Sequence, residues 1–319
     1  MKLALLAACC TLSVFAMANV ATSLLLAWHL RARGQRWLLR SAAGVLFARC
    51  LPAVSSAALA LLIALPSFLA HEPRDRVEPV SLPLAVVAAF GLAILGGSVL
   101  RGASAVARTR TAVREWMREA TPAVVPGWAG RAWIVAAEAP GVCVVGLREA
   151  RLLVSRSTIA ACTAPELAGI VAHERAHARA GDNRKKLVLR CLPDVVSWTP
   201  LSRAVERIWD ARAEEEADVA ALRADRTAGV EIAAALVKLA RRGTFAALPV
   251  ASTLDAGGPL GRRVRRLLAG TEERRSRGSH WALLGAAIVV PAVVCALFPP
   301  ASASVHQAIE AMVGQLLRF

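Results

Sequence analysis

Four runs of the chain are apolar over about the 20 residues that a helix needs to cross a bilayer. They predict transmembrane helices over 1–30, 50–70, 80–100 and 281–300. Trp28, Trp37 and Trp281 fall at or near the ends of these runs, where amphipathic rings favour the interface. Pro291 lies inside the last run and predicts a kink. The first run could also be read as a signal peptide, with Lys2 before it and Ala16-Met17-Ala18 as a small-residue cleavage site. The run continues to Leu30, so a retained helix is expected.

Between the third and fourth runs the pattern changes. Residues 104–120 predict a helix with Val106, Val113, Trp116 and Met117 on one side. Thr121 to Gly130 is broken by Pro and Gly, and short apolar runs at 132–136, 142–145 and 152–154 predict strands. From Ala164 to Arg242 the pattern is helical. Thr163 before Pro165-Glu166 predicts an N-cap with its capping box. The stretch 187–205 is broken by charges and prolines and is not expected to span. The fold class is therefore an α-helical integral membrane protein with four transmembrane helices. Its 101–280 domain is mainly α (α+β), with a small sheet.

Charge orients this layout. Segment 31–49 carries Arg31, Arg33, Arg36, Arg40 and Arg49 and no acid, whereas loop 71–79 balances Arg74 and Arg76 against Glu72, Asp75 and Glu78. The positive-inside rule puts 31–49 in the cytoplasm and 71–79 outside. Residues 101–280 hold 30 Lys+Arg against 19 Asp+Glu, a net +11, and fall on the cytoplasmic side. Residues 301–319 are then a short external tail. No basic motif is interleaved with aromatics. The positive excess is read as inside bias and contact with anionic headgroups, without direct nucleic-acid binding. The 7 cysteines form no CxxC pair, which argues against a disulfide framework or a thiolate zinc site.

The chemistry concentrates at His173-Glu174-Arg175-Ala176-His177, an HExxH pattern inside a predicted helix. Residues four apart share a helix face, so His173 and His177 can hold one Zn2+ per chain. Glu174 beside them can take a proton from the attacking water and later deliver it to a leaving amine. A third ligand is sought in Glu214-Glu215-Glu216-Ala217-Asp218 on a later helix. Glu214 is chosen because Asp218 stands one turn on, placed to support a ligand imidazole. Asp182 and Asn183 either brace the site or only belong to a helix-ending turn at Gly181. His29, His71, His280 and His306 read as interfacial.

With these residues and this layout, the chain resembles the bacterial membrane zinc metallopeptidases of the BlaR/MecR antirepressor type, as a short member without the sensor. The resemblance rests on His173-Glu174-Arg175-Ala176-His177 with Asp182-Asn183, on Glu214 with Asp218, on 140–155, and on Arg263-Val264-Arg265-Arg266-Leu267-Leu268. It implies a gluzincin-like domain on the cytoplasmic side of the bacterial plasma membrane. Glu174 would be catalytic, His173, His177 and Glu214 would bind metal, and Asp218 and Asp182 would support them. The implied partners are the lipid bilayer and a protein or peptide substrate, a cytoplasmic transcriptional repressor or the chain itself. The HtpX/CAAX-protease type is the nearest competitor. A non-catalytic signalling protein with a structural zinc site is the bland alternative.

Overall fold

The computed structural model describes residues 2–31, 39–72, 79–136, 139, 141–225, 228–241, 252–253, 260–270 and 299–316. Three helices among them are long and apolar enough to cross a membrane: Lys2–Arg31, Ala42–His71 and Leu82–Trp116. These mark the chain as a membrane protein. The expected fourth span, 281–300, lies almost wholly outside the described residues, as does most of loop 71–79.

Helix α1 is Lys2–Arg31. The second membrane helix comprises α2 (Ala42–Ala58), a π-helical segment at Leu59–Ala64 and α3 (Leu65–His71). It begins eight residues earlier than the apolar run suggests, because Ser41 caps it by accepting a hydrogen bond from Gly44 N. Arg49 is therefore inside a helix rather than in a basic loop. The third span and the helix expected at 104–120 are one element, α4, Leu82–Trp116. At 1.5 Å per residue it is about 52 Å long, enough to cross a bilayer and continue into the domain. It lies close against α1: a Cβ on Gly91 would come within 2.6 Å of Leu12 O, a contact only glycine permits.

The domain's sheet has strands β1 (Thr121–Ala123), β2 (Ala132–Val135), β3 (Val142–Val145), β4 (Arg151–Ser155) and β5 (Ser252–Thr253), in the order β1-β2-β4-β3-β5. Strands β2 and β4 are parallel and the other pairs antiparallel. Strand β1 falls in the stretch read as Pro/Gly-broken; its Pro122 is tolerated because β1 is an edge. All four residues of β3 are buried, which is why they read as a continuous apolar run. One face of the sheet packs Val142, Val144, Leu152 and Val154 against Ile170, Val171, Ile232 and Leu236. The other packs Val135, Cys143, Val145 and Leu153 against Val113, Trp116 and Met117 at the end of α4.

The helices that follow are α5 (Arg156–Ala161), α6 (Ala164–Ala180), α7 (Asp182–Cys191), α8 (Pro200–Ala224), α9 (Ala228–Ala240) and α10 (Leu260–Ala269). The single helical run expected over 164–242 is thus divided at Gly181, Leu192 and Asp225. The tail expected beyond residue 300 contains α11, Pro299–Leu316, which packs against α3 and its π-helical neighbour.

The connection between α7 and α8 is not a span, yet it enters the membrane bundle. Asn19, about 18 Å along α1 from Arg31, donates from Nδ2 to Pro193 O (2.9 Å) and to Ser56 Oγ (2.9 Å). Its Oδ1 accepts from Val195 N at 3.0 Å. Val195 joins a cluster with Val14, Phe15, Ala60 and Ile94, and the Trp198 ring meets Phe90 edge-on at 5.9 Å. Arg49 forms a fully buried ion pair with Asp194, and its Nη2 donates to Ser197 Oγ at 2.6 Å. Irregular backbone at membrane depth survives only where protein satisfies its polar groups; here Asn19 does so for Pro193 O and Val195 N, and Arg101 Nη2 donates to Leu192 O at 2.8 Å.

Candidate metal centre

Helix α6 begins at the expected capping box. Thr163 Oγ1 accepts from Glu166 N, and Glu166 Oε2 accepts from Thr163 N at 2.8 Å. Lys238 of α9 holds the same carboxylate at 2.7 Å, which anchors the start of the helix. The helix ends at Gly181, whose φ of +70° is the left-handed conformation that glycine adopts without strain. That turn sends the chain directly into α7, so that Asp182 and Asn183 face back. Asp182 Oδ2 accepts from His177 Nδ1 at 2.7 Å. Asn183 Nδ2 donates to Val144 O (2.9 Å) and Gly146 O (3.2 Å), tying the corner to β3. The two readings of this segment are both satisfied: it is a helix-ending turn, and it braces a ring.

The three members of the HExxH pattern are buried, with His173 and Glu174 at 0% and His177 at 2% exposure. Helix α8 brings Glu214 to them. His173 Nε2 lies 3.3 Å from Glu214 Oε2, His177 Nε2 lies 3.4 Å from Glu214 Oε1, and the two Nε2 atoms are 3.1 Å apart. Four ligands at about 2.0–2.1 Å around a tetrahedral ion stand about 3.3–3.4 Å from one another. The three side chains are therefore spaced as ligands of one small cation. Both oxygens of Glu174 are buried without a hydrogen-bond partner among the described residues.

The glutamate triplet separates into three roles. Glu214 faces the imidazoles. Glu215 pairs with Arg212 (2.6 Å) and with Arg266 of α10. Glu216 Oε1 accepts from Ala42 N at 2.9 Å, at the start of α2. Asp218, one turn beyond Glu214, places Oδ1 2.9 Å from His173 Nδ1. The structure thus brings together His173, Glu174, His177, Glu214, Asp218 and Asp182, all six of the residues singled out in the sequence.

It adds Arg263 of α10, which the sequence reading had not placed at the site. Its guanidinium grips Asp218 with both Nε (3.0 Å) and Nη2 (2.8 Å), and Nη1 lies 2.9 Å from Glu214 Oε2. The fork suits two carboxylates on one helix face, a geometry a lysine would not reproduce. Nothing local separates Arg263 from Arg262, Arg265 and Arg266, so only the buried contact identifies it.

Electrostatics follow from this packing. Burial opposes a charge on His177, but Glu214 and the Asp182 hydrogen bond outweigh it and lift its pKa to about 10. His173 is raised in the same way, with Asp218 and Glu214 overcoming burial. Burial also opposes ionisation of Glu214, yet Arg263 and His177 hold it well below the usual carboxylate range. Burial pushes Glu174 up to about 7, offset in part by the two imidazoles. A cation entering this site must displace protons from His173 and His177. Zinc affinity of the metal-stripped protein is therefore expected to rise as pH increases from 6 to 8, read by competition against a chromophoric chelator. Asp218→Ala frees the His173 ring and strands Arg263, and is expected to weaken zinc binding about 10–100-fold in the same titration.

Residues 143–251 match the model of Peptidase family M48. The matched segment runs from β3 to the residue before β5 and contains all six side chains of the centre; Arg263 lies beyond it. This is the metallopeptidase-like part of the chain, an M48-like domain hung on apolar helices. Comparison with curated proteins finds no match.

Proposed function

We propose that the protein is a membrane-embedded, zinc-dependent endopeptidase that cleaves a protein substrate on the cytoplasmic side of a bacterial plasma membrane. The observation that carries this reading is the convergence of His173, His177 and Glu214 beside an unpartnered, buried Glu174 within the M48-like domain. His173, His177 and Glu214 would hold one zinc ion, which when bound supplies Lewis acidity toward the scissile carbonyl and acidifies water. Glu174 acts as general base and then as general acid toward the leaving amine. Burial raises its pKa to about 7 in the metal-free site, and the positive charge of a bound ion would lower it toward the ionised form that a general base needs. Asp218 and Asp182 orient the two imidazoles, and Arg263 fixes Asp218 and Glu214.

Regulated cleavage, of a repressor or of the chain itself, is part of the proposal. Self-recognition is supported by β5. Ser252–Thr253 pairs antiparallel with Cys143–Val144 of β3, the strand to which Asn183 ties the metal-bearing helix corner. An extended substrate would use the same main-chain pairing, so β5 stands where a peptide of another protein would compete. A structural zinc site is less well supported, since the described residues offer three ligands and a closed site uses four.

The test compares new protein N-termini in cells expressing wild type or Glu174→Gln. A small set of termini confined to wild type is expected and names the substrate. A broad set drawn from damaged membrane proteins would favour the HtpX/CAAX-type quality-control reading. Identical termini mean either an enzyme silent without its signal or a wrong protease reading, and zinc content decides between them: a purified wild type without zinc would overturn the protease reading.

A further inference from the structure

We propose that Glu72, His306 and Glu310 form a second metal site, for a divalent first-row transition-metal ion, at the end of the helix bundle remote from the M48-like domain. The sequence gives no hint of it, because Glu72 and His306 are more than 230 positions apart. Their association depends on α11, which returns to the end of α3. Ile309 anchors that helix in the cluster of Val14, Phe15, Ala60 and Ile94.

Once α11 is anchored, one ligand atom from each of Glu72, His306 and Glu310 lies within 4.8 Å of the others. Ligands at about 2.0–2.2 Å from a shared ion are at most about 4.4 Å apart, so small side-chain rotations bring all three into its reach. His306 and Glu310 are four residues apart and share a helix face, the spacing that also pairs His173 with His177. The imidazole of His306 is held in place: it stacks on His71 at 5.6 Å with 25° between the rings, and Phe68 flanks it at 6.3 Å. His306 Nδ1 is shielded from water and has no hydrogen-bond partner among the described residues. That is an unfavourable state for a polar atom beside two carboxylates, and one that a cation coordinated at Nδ1 would relieve.

The donor set selects the ion. Two carboxylates match a double positive charge, and the imidazole favours zinc, cobalt, nickel or copper over magnesium or calcium. Glu310 is exposed and the other two are half-buried, so water completes the coordination and the ion exchanges with solvent. The M48-like centre cannot share it. From Leu84, which packs with Phe68 at this end, to Gly102, which α7 contacts through Cys191, α4 alone spans about 27 Å. Metal at this end would clip α11 to α3, and so join the C-terminal helix to the helix that carries Arg49.

The test uses the full-length protein in detergent with Co2+ or Zn2+. Wild type is expected to hold two ions per chain, and His173→Ala/His177→Ala to retain one, with Co2+ absorption bands of an oxygen-rich, single-imidazole site. Adding His306→Ala/Glu310→Ala should remove that ion, and Glu310→Gln alone should weaken Co2+ binding at least tenfold. The His306→Ala/Glu310→Ala protein with an intact M48-like centre should still bind one ion, which shows that it is folded. The proposal is overturned if wild type binds a single ion that His173→Ala/His177→Ala abolishes, or if the ion kept by that variant is indifferent to His306 and Glu310. Neither result bears on the peptidase reading, which rests on the other centre.

Discussion

Glu174→Gln is expected to keep its zinc and to lower peptide cleavage about 10²–10⁴-fold, the usual contribution of a positioned general base. The substitution preserves shape in a pocket where both Glu174 oxygens are buried and without a hydrogen-bond partner among the described residues. It therefore removes the base without opening a cavity or breaking a hydrogen bond. Metal content and cleavage of a peptide library by the full-length protein are the measurements. His177→Ala is the contrasting control, because it deletes a ligand and should lose metal and cleavage together. Unchanged cleavage by a zinc-loaded Glu174→Gln protein would remove Glu174 from the chemistry. Loss of zinc would instead make it a structural member of the centre.

The largest effect on stability is expected at Arg49 and Asp194. Both side chains are fully buried, and they pair across 145 positions of sequence. Removing one partner leaves an uncompensated charge in a low-dielectric environment, at a cost of about 3–5 kcal/mol. Arg49→Leu and Asp194→Leu are therefore each expected to lower the unfolding midpoint in detergent sharply. The double variant, which removes both charges, should recover much of the loss. Asp194 sits between α7, which supplies Asp182, and α8, which supplies Glu214 and Asp218. The single variants should thus also lower zinc occupancy, whereas an exposed control such as Arg118→Leu, whose pair with Glu115 is solvated, should change neither. Equal stability of all variants would mean that the inserted segment is held by Asn19, Arg101 and apolar contacts without the ion pair.

Much of the centre was legible in the sequence because its information is local. A helix repeats every 3.6 residues, so His173 and His177 share a face whatever surrounds them, and Glu214 and Asp218 do likewise. The capping box at Thr163 and the helix end at Gly181 are also one-turn signals. The apolar runs gave the membrane helices for the same reason, although their ends shifted. A hydropathy run marks where lipid contact is tolerable, whereas a cap such as Ser41 marks where a helix starts. The one-residue differences in the strands are of the same kind.

What the sequence by itself determined is therefore a set of amphipathic and apolar segments, with two pairs of ligand-type residues correctly spaced on their own helices. The tertiary structure alone decided which partners those segments meet. It selected Arg263 from a run of arginines, gave Glu214, Glu215 and Glu216 separate partners, turned Arg49 from a loop charge into a buried ion pair, and joined Glu72 to His306 and Glu310. Apart from the Arg212–Glu215 pair, which lies three residues apart on one helix, these contacts link residues that no helical or strand period relates, and their energies depend on burial. Burial is a property of the packed chain, so these contacts leave no mark on the local pattern.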